Sequence, residues 1–511
     1  MTIVTNGGVN LMFRQKQLTK AEEGIKYTDE SRLYEDLIDN EKKLEEIFVN
    51  CNDFYIKHVN IKEHTGRIVY INGLVNNDQL DDTLLDFEKH YYEGDSATYF
   101  MEKLQKSSVV SEETTLMTTW QDVIEHITKG DAVLFFNKCL HGLAISGRNK
   151  GLDRSLTDPP TEQVLRGSRI GLIENTDVNV ALIRNRIRTP YLKTEKHYVG
   201  DVSQTPVVMI YIDKYADSSV VEEVRNRLTR MEAAIILESG HIEEMICDGK
   251  RSAFPLMQLT ERPDTVSALL FEGKVGIIIH GTPMVLVVPT TFWEGFQSVE
   301  DYHNPFIFAT AVRWLRYLFA LVALFLPSFY ISVTTFHHEV LPTPLALSIA
   351  TAREPSPFPT IVEVLMMEIV FEGLREAGIR LPPPIGLTIS IVGALVIGEA
   401  AVQAGIVSAP IVIVVALTGI ASFLIPKLNM NLTIRLCRFP IMFLSAIFGL
   451  YGIGISLIAF LIHITNLQSV GVPYLSPIAP FHAAGLKDVL FRAPVNMLYK
   501  KKNHHGIERD D

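Results

Sequence analysis

Residues 317–336, YLFALVALFLPSFYISVTTF, decide the fold because this stretch carries no charged residue. At about 1.5 Å per residue, a helix of that length is about long enough to cross a bilayer. Arg313 and Arg316 lie shortly before it, as is typical of a helix that enters the membrane from the cytoplasm. The stretch therefore predicts a membrane-spanning helix that follows a cytoplasmic region.

Two more apolar stretches lie further along the chain. Residues 385–426 contain a single acidic residue, Glu399. At about 20 residues per span, this stretch predicts two helices joined by a tight turn at 405–410. Residues 439–464 are rich in Gly and Ala, which let helices approach closely, and predict another span. The sequence therefore predicts a helical transmembrane bundle with at least four spans.

Residues 358–379 are long enough to cross a bilayer but carry several charges. On a helix, Glu368, Glu372 and Glu376 share one face, and Arg375 and Arg380 lie within reach at i+3 or i+4. Two interpretations stay open: an amphipathic helix on the membrane surface, or a fifth span that faces a water-filled interior. In the second case the acids become further pore-lining candidates, namely Glu363, Glu368, Glu372 and Glu376.

Loop charges bear on the number of spans. With five spans, a loop containing Lys427, Arg435 and Arg438 lies in the cytoplasm, as the positive-inside bias favours, whereas with four it lies outside. Five spans also place the lysine-rich C-terminal tail outside, against the same bias. The predicted count is therefore four or five.

Charge divides the chain into two environments. Lys and Arg number 14 and Asp and Glu 11 from Ala311 onward, against 33 and 47 before it. This acidic balance argues against nucleic acid as a partner, because phosphate binding needs a basic patch. The four cysteines form no CxxC pair, which argues against a disulfide framework or a zinc site. No signal peptide is evident, so the N-terminal half is expected in the cytoplasm.

The N-terminal half predicts two small α/β subdomains. A helix is expected at 31–50 with Ser31 as N-cap, then strands at 54–61 and 67–75, and a strand pair around 131–146. The second unit has a strand at 207–212, a helix at 218–237 and a hairpin around 274–288. No sequence repeat is strong enough to indicate duplication. The predicted boundaries are 1–145, a linker at 146–168, 169–302, a transmembrane domain at 303–470 and a tail at 471–511.

Catalytic and metal-binding signatures are absent from the sequence. It contains no nucleophile elbow, phosphate-binding loop or zinc-protease motif, so we expect neither an enzyme nor a cofactor. Adjacent histidines such as His337 and His338 point different ways and do not readily share one metal ion. The basic run from Arg184 to Arg188 predicts a solvated or interdomain face, with contact to lipid headgroups as the alternative.

Several strings, in a fixed order from about residue 133 to 494, resemble the GerA family of spore germination proteins, specifically the A subunits of germinant receptors. The strings are TEQVLRG (161–167), LIRNRIR (182–188), TERPD (260–264), EGKV (272–275), EDY (300–302), PFP (357–359), EGLREAGIRLP (372–382), IVGALVIG (391–398) and AVQAG (401–405). The residues singled out in these motifs are Glu162, Arg166, Arg184, Arg188, Glu261, Arg262, Pro263, Asp264, Pro357, Phe358, Pro359 and Arg375. The string at 252–255, SAFP, departs from the fuller Pro-Phe-Pro pattern expected there.

The resemblance implies a protein of the spore inner membrane that initiates germination. It implies a transporter-like B subunit that senses the nutrient, a lipoprotein C subunit, and a homo-oligomer that forms a cation-conducting path when nutrient binds. The alternative function is a membrane scaffold that couples a separate sensor to downstream germination proteins without conducting ions.

The helix predicted at 385–406 carries the pore-lining candidates. Spacings of 4, 3, 4 and 4 place five side chains on one stripe, namely Thr388, Val392, Leu395, Glu399 and Gln403. Around an oligomer, Glu399 would form an acidic ring that selects cations, and the Val392–Leu395 level would act as a dewetting gate. Alternatively, Glu399 and Gln403 hydrogen-bond a neighbouring helix or the B subunit.

Overall fold

Two α/β units precede a helical bundle in the computed structural model of the chain. It describes residues 27–89, 96–106, 114–147, 149, 158–162, 164, 166–249, 252–382, 393, 396–481 and 483–494. The first unit comprises α1 (Leu37–Ile47), β1 (Phe54–Ile61), β2 (His64–Ile71), α2 (Asn77–Lys89), α3 (Ala97–Lys106), β3 (Thr114–Met117), α4 (Trp120–Lys129), β4 (Ala132–Phe136) and β5 (Gly142–Ile145).

The second unit repeats this order of elements. It comprises α5 (Thr176–Arg186), β6 (Leu192–Val199), β7 (Thr205–Ile212), α6 (Ser218–Thr229), α7 (Ser239–Ile246), β8 (Gln258–Thr260), α8 (Pro263–Phe271), β9 (Val275–Ile279) and β10 (Val285–Val288). The strand orders, β1-β2-β4-β5-β3 and β6-β7-β9-β10-β8, are the same when each unit is numbered from its own first strand. The two units therefore share one topology, and the prediction of two α/β units is confirmed.

Each sheet is covered by helices on both faces. In the first unit, α1 and α4 cover one face, and α2 and α3 cover the other. In the second, α5 and α8 cover one face, and α6 and α7 cover the other. Central strands such as β4, Ala-Val-Leu-Phe-Phe, are consequently buried along their whole length.

The same pair of asparagine hydrogen bonds occurs at the start of both units. Asn40 on α1 accepts a hydrogen bond from the Tyr34 backbone N–H and donates to the Tyr34 carbonyl. Asn179 on α5 makes the same two bonds with Ile173. Both asparagines are buried. The shared pair of bonds fixes the chain entering each helix in the same way, which is independent support for a structural repeat.

The bundle follows a 3₁₀ turn (Phe292–Phe296) and a short helix, α9 (Glu300–His303). Its helices are α10 (Phe306–Thr335), α11 (Thr343–Arg353), α12 (Thr360–Arg380), α13 (Ala409–Phe423), α14 (Leu428–Phe448) and α15 (Leu450–Asn466), with a further helical segment at 396–403. Among the described residues, α10 and α14 have the length and apolar composition needed to cross a membrane, and α13 and α15 are shorter apolar helices.

The bundle has a near end, where it contacts the second α/β unit, and a far end. Helix α10 begins at the near end, where Arg316 pairs with Asp301. Helix α12 begins at the far end beside Ser408 and runs towards Ser422 at the near end. Helix α14 runs from the near end to Gly449, which lies against His337 at the far end. Helix α12 and helix α14 are therefore antiparallel.

The predicted single span at 439–464 is wrong, because the chain turns back at Gly449. This glycine adopts φ 59° and ψ −139°, a conformation open essentially to glycine alone. A second glycine, Gly452, lies so close to the Leu444 carbonyl that a side chain would not fit. The apolar stretch is consequently divided between α14 and α15, which pack as a helical hairpin.

The chain returns to the second α/β unit after α15. Helix α15 ends at the near end, where the His463 ring hydrogen-bonds the Ser252 hydroxyl at 2.9 Å. A small hairpin follows, β11 (Gln468–Ser469) and β12 (Val472–Pro473), and between its strands Val470 enters the core of the second sheet. A last helix, α16 (Ala483–Val489), packs beside α10. The described C-terminal residues and the α/β units therefore lie at the same end of the bundle.

Candidate functional site

Glu162, in the TEQVLRG motif of the linker, bonds to both the second unit and the bundle. Its carboxylate accepts hydrogen bonds from the Thr260 hydroxyl at 2.5 Å and from the Glu261 backbone N–H at 3.2 Å. The other oxygen pairs with Lys427 Nζ at 2.7 Å, directly before α14. One side chain thus links the linker, the start of α8 and the start of α14.

Arg262 holds the same segment from the second unit. Its guanidinium donates to the backbone carbonyls of Glu162 and Ser168 and pairs with Asp264 at 2.7 Å, and its side chain is 1% exposed. Pro263 occupies the first turn of α8, where a missing N–H costs nothing. Further along the linker, the Arg166 carbonyl bonds His303 Nδ1 at 2.7 Å. The TEQVLRG and TERPD motifs therefore form one cluster at the near end of the bundle.

The basic run at 184–188 divides between two environments. Arg184 is buried and pairs bidentately with Asp53, at 2.7 and 2.9 Å, across the boundary between the two units. Asp53 also accepts from the Thr194 hydroxyl. Arg188 is exposed. The interdomain interpretation therefore holds for Arg184, whereas Arg188 lies on the surface.

A second charge cluster joins the α/β half to α10. Asp301 pairs with Arg316 at 2.8 Å and with Arg313 at 3.3 Å, and all three side chains are buried. Arg313 also pairs with Asp488, which follows the bundle and accepts a hydrogen bond from Tyr302 at 2.8 Å. The arginines predicted to flank the first span thus bind the segments before and after the bundle.

The surroundings of Asp488 and Tyr302 shift the pKa values of both side chains. Burial raises the pKa of Asp488, and the neighbouring Arg313 guanidinium and the Tyr302 hydroxyl act in the opposite direction. Burial and the Asp488 carboxylate raise the pKa of Tyr302 well above its ordinary value. Tyr302 therefore stays neutral, and its hydroxyl donates a hydrogen bond to the Asp488 carboxylate.

The acids of α12 pair chiefly with arginines of α14. Glu368 accepts from Arg438 at 2.6 Å, and both side chains are nearly fully buried. Glu372 pairs bidentately with Arg435. The prediction that Arg435 and Arg438 lie in a loop is wrong, since both lie inside helix α14.

The pairs expected within α12 are the weaker ones. Arg380 and Glu376 form an exposed pair at 2.6 Å. Arg375 lies 4.0 Å from Glu372, donates to the Ser422 hydroxyl at 3.1 Å and stacks over the Phe423 ring. Residue spacing along one helix indicates only the i+3 and i+4 neighbours on that helix. It therefore does not predict the partners on α14 and α13.

Glu363 is fully buried in the first turn of α12, at the far end of the bundle. It is 0% exposed and accepts from the Ser408 backbone N–H at 2.8 Å, and its nearest cationic atom is Arg353 Nη2 at 3.7 Å. The preceding Pro357-Phe358-Pro359 string lies directly before α12, and Pro359 is its N-cap. The carboxylate thus binds the backbone where α13 begins, at the positive end of that helix.

The predicted pore stripe is described only in part. Thr388, Val392 and Leu395 lie outside the described residues. Glu399 and Gln403 lie on the helical segment 396–403, are both exposed, and are joined by a 3.0 Å hydrogen bond from Gln403 Nε2 to Glu399 Oε1. The pair faces outward from this single chain and does not bond a neighbouring helix among the described residues.

Comparison with known proteins settles the family. A family model described as Bacillus/Clostridium GerA spore germination protein matches residues 42–504. The chain belongs to the GerA family. It is 45% identical over 460 residues to "Uncharacterized membrane protein YfkQ" of Bacillus subtilis (strain 168), covering 90% of this chain and 89% of that protein. It is 42% identical to "Spore germination protein KA" of the same organism, covering 87% and 82% respectively.

A crystal structure also matches the front half of this GerA protein. The N-terminal domain of the A subunit of the Bacillus megaterium spore germinant receptor GerK3 is 29% identical. The match has a TM-score of 0.43 and covers 52% of this chain and 99% of that one.

Sequence reasoning missed the internal repeat of this GerA chain, although a signal is present. Residues 33–40, LYEDLIDN, align with 172–179, LIENTDVN, at the position of the paired asparagines. Asp36 and Asn175 are the N-caps of α1 and α5 in these strings. The similarity is short and chemically loose, so it produces no repeat period over the whole unit.

Proposed function

We propose that this chain is the A-type subunit of a nutrient receptor that initiates spore germination, a non-enzymatic integral membrane protein of the spore inner membrane. Membership of the GerA family supports the germination role, since several of its relatives carry that name. The apolar helices α10 and α14 support a membrane location. We further propose partnership with a transporter-like B subunit and a lipoprotein C subunit.

The exposed Glu399–Gln403 pair carries the proposal that copies of the chain assemble around an ion path. Both side chains lie on the outer surface of an apolar part of the chain. An ionised carboxylate facing lipid costs at least about 2.5–3.5 kcal/mol, so water or another chain must cover it. A ring of such carboxylates around an oligomer axis would favour cations over anions.

The position of the C-terminal residues supports a topology. The β11–β12 hairpin and α16 lie with the α/β units at the near end of the bundle. A chain that leaves and returns on one side of a membrane crosses it an even number of times. We therefore propose that the α/β units and residues 468–494 both lie in the cytoplasm, which argues against five spans.

Two measurements test the function. A deletion strain should lose germination in at least one single nutrient, and the intact gene should restore it. In liposomes containing the purified receptor, Glu399→Gln should reduce cation flux, because the ring loses its charge, while the amide oxygen still accepts from Gln403 and preserves assembly. Glu399→Asp, which keeps the charge, should retain most of the flux.

The alternative function is a scaffold without an ion path. It is favoured if the deletion abolishes germination but liposomes with the intact receptor conduct no ions and Glu399→Gln germinates normally. A deletion strain with full germination in every nutrient would contradict both functions.

A further inference from the structure

Two carboxylates on α12 pair with two guanidinium groups on α14, and a third carboxylate follows about one turn further along α12. Glu368, Glu372 and Glu376 are spaced by four residues, and in the antiparallel pair Arg438 binds Glu368 while Arg435 binds Glu372. Glu376 is exposed, and within the described part of the chain it pairs with Arg380 of its own helix. The next carboxylate thus lies about 6 Å along the helix axis and about 40° around it from each carboxylate already paired.

We propose that α12 has a second register on α14, in which Arg438 binds Glu372 and Arg435 binds Glu376. A shift of α12 by about one turn towards the far end, with a small rotation, exchanges each arginine's partner for the next one along. Packed helices change position by such discrete steps because side-chain packing has separate minima. The inference rests on the proposed receptor function, for which it supplies the moving element.

The contacts of the two helices indicate which one moves. Helix α14 is fixed to the α/β half by the Lys427–Glu162 pair at 2.7 Å, and the Thr433 hydroxyl donates to the Ala253 carbonyl at 2.5 Å. In the described part of the chain, the side-chain hydrogen bonds and ion pairs of α12 stay within the bundle. If one of the two helices shifts, these contacts therefore assign the movement to α12, because α14 is bound to the α/β half.

The described register is the resting one. The acid that has no partner on α14 in this register, Glu376, is exposed to solvent, where a carboxylate does not need one. In the second register the unpaired acid is Glu368, which is 4% exposed and would lie in the interior. A buried carboxylate without a partner is costly, so the second register needs an input such as nutrient binding to a partner subunit. The shift also breaks the bond between Glu363 and the start of α13.

The first test removes an acceptor that matters only in the second register. Glu376→Gln and Arg380→Gln both delete the same exposed resting pair, so both should assemble at the level of the unchanged protein. Only Glu376→Gln deprives Arg435 of its second partner. In a deletion strain carrying each variant, potassium release in complete nutrient broth should fall about tenfold for Glu376→Gln and stay unchanged for Arg380→Gln. Equal responses of the two variants would overturn the proposal.

The second test keeps the resting register and blocks the other. The double variant Glu372→Arg/Arg435→Glu preserves an ion pair at rest, but the shift would place arginine against Arg438 and glutamate against Glu376. It should assemble and release potassium at least about tenfold more slowly, since like charges repel at these positions. A normal response would contradict a change of register. Failure of the unchanged gene to restore any response would instead contradict the receptor function itself.

Discussion

A buried charge is stable only with its partner, and the two units are joined by one such pair. Arg184 is 1% exposed and makes two charge-assisted hydrogen bonds to Asp53. The sequence predicted the role of the run at 184–188 only as alternatives, because an arginine's partner 131 positions away leaves no local pattern. Burial within the run differs from residue to residue, and that difference allows a controlled test.

Arg184→Ala is expected to destabilise the full-length protein by about 3–5 kcal/mol, because it leaves the Asp53 carboxylate buried without a cation. The change is measured as thermal unfolding in detergent. Arg188→Ala removes the same type of side chain from an exposed position of the same run and should change stability by less than about 0.5 kcal/mol. Equal losses for both variants would show that the Arg184–Asp53 pair does not join the units.

The paired asparagines allow a second test at the residue scale. Asn40→Ala and Asn179→Ala each remove two hydrogen bonds and leave one backbone N–H and one carbonyl without these partners. Each should cost about 1–3 kcal/mol, and the two losses should be similar because the bonds are the same. Asn185→Ala on α5 is the control. A large loss at one site alone would mean that the two helices are not equivalently held.

At the scale of elements, the sequence predicted which segments form strands but not all of their ends, since the strand expected at 67–75 lies at His64–Ile71. The strand predicted at 54–61 is confirmed, and the hairpin at 274–288 appears as β9 and β10, since short β-branched runs bounded by turn residues are distinctive. The helix predicted from Ser31 begins instead at Leu37, capped by Asp36. In the bundle, hydropathy reports only that a stretch is apolar, so it merged the second half of α14 with α15. The division depends on backbone geometry at Gly449.

Gly452→Ala tests the α14–α15 hairpin. A β-carbon at this position would lie 2.2 Å from the Leu444 carbonyl oxygen, so the backbone must shift. We expect a lower midpoint of thermal unfolding in detergent, corresponding to a loss of about 1–3 kcal/mol. Gly454→Ala on the same helix meets no atom within 4 Å and should be neutral or stabilising, because alanine favours helix by up to about 1 kcal/mol. If Gly452→Ala is equally harmless, the two helices do not pack this closely.

At the scale of the whole molecule, the near end of the bundle gathers segments that are far apart in sequence. Glu162 from the linker binds Lys427, and Asp488 from the C-terminal residues binds Arg313 at the start of α10. The Trp314 indole donates to the Leu490 carbonyl at 2.7 Å. The α/β half contacts α10, α14 and the C-terminal residues. A change in the position of the α/β half therefore acts on the bundle at several points at once.

This arrangement predicts which parts of the protein face the same side of the membrane. Lys487 on α16 and Glu339 after α10 are both exposed, at the near and far ends respectively. In a background with the four native cysteines replaced by serine, each is changed to cysteine and intact cells expressing the protein are treated with a membrane-impermeant maleimide. We expect Glu339→Cys to be labelled and Lys487→Cys to be labelled only after permeabilisation, because an even number of crossings brings the chain back to the cytoplasm. Labelling of both cysteines in intact cells would require an odd number of crossings, and the hairpin contact between Val470 and the second sheet could not then exist in the membrane-inserted protein.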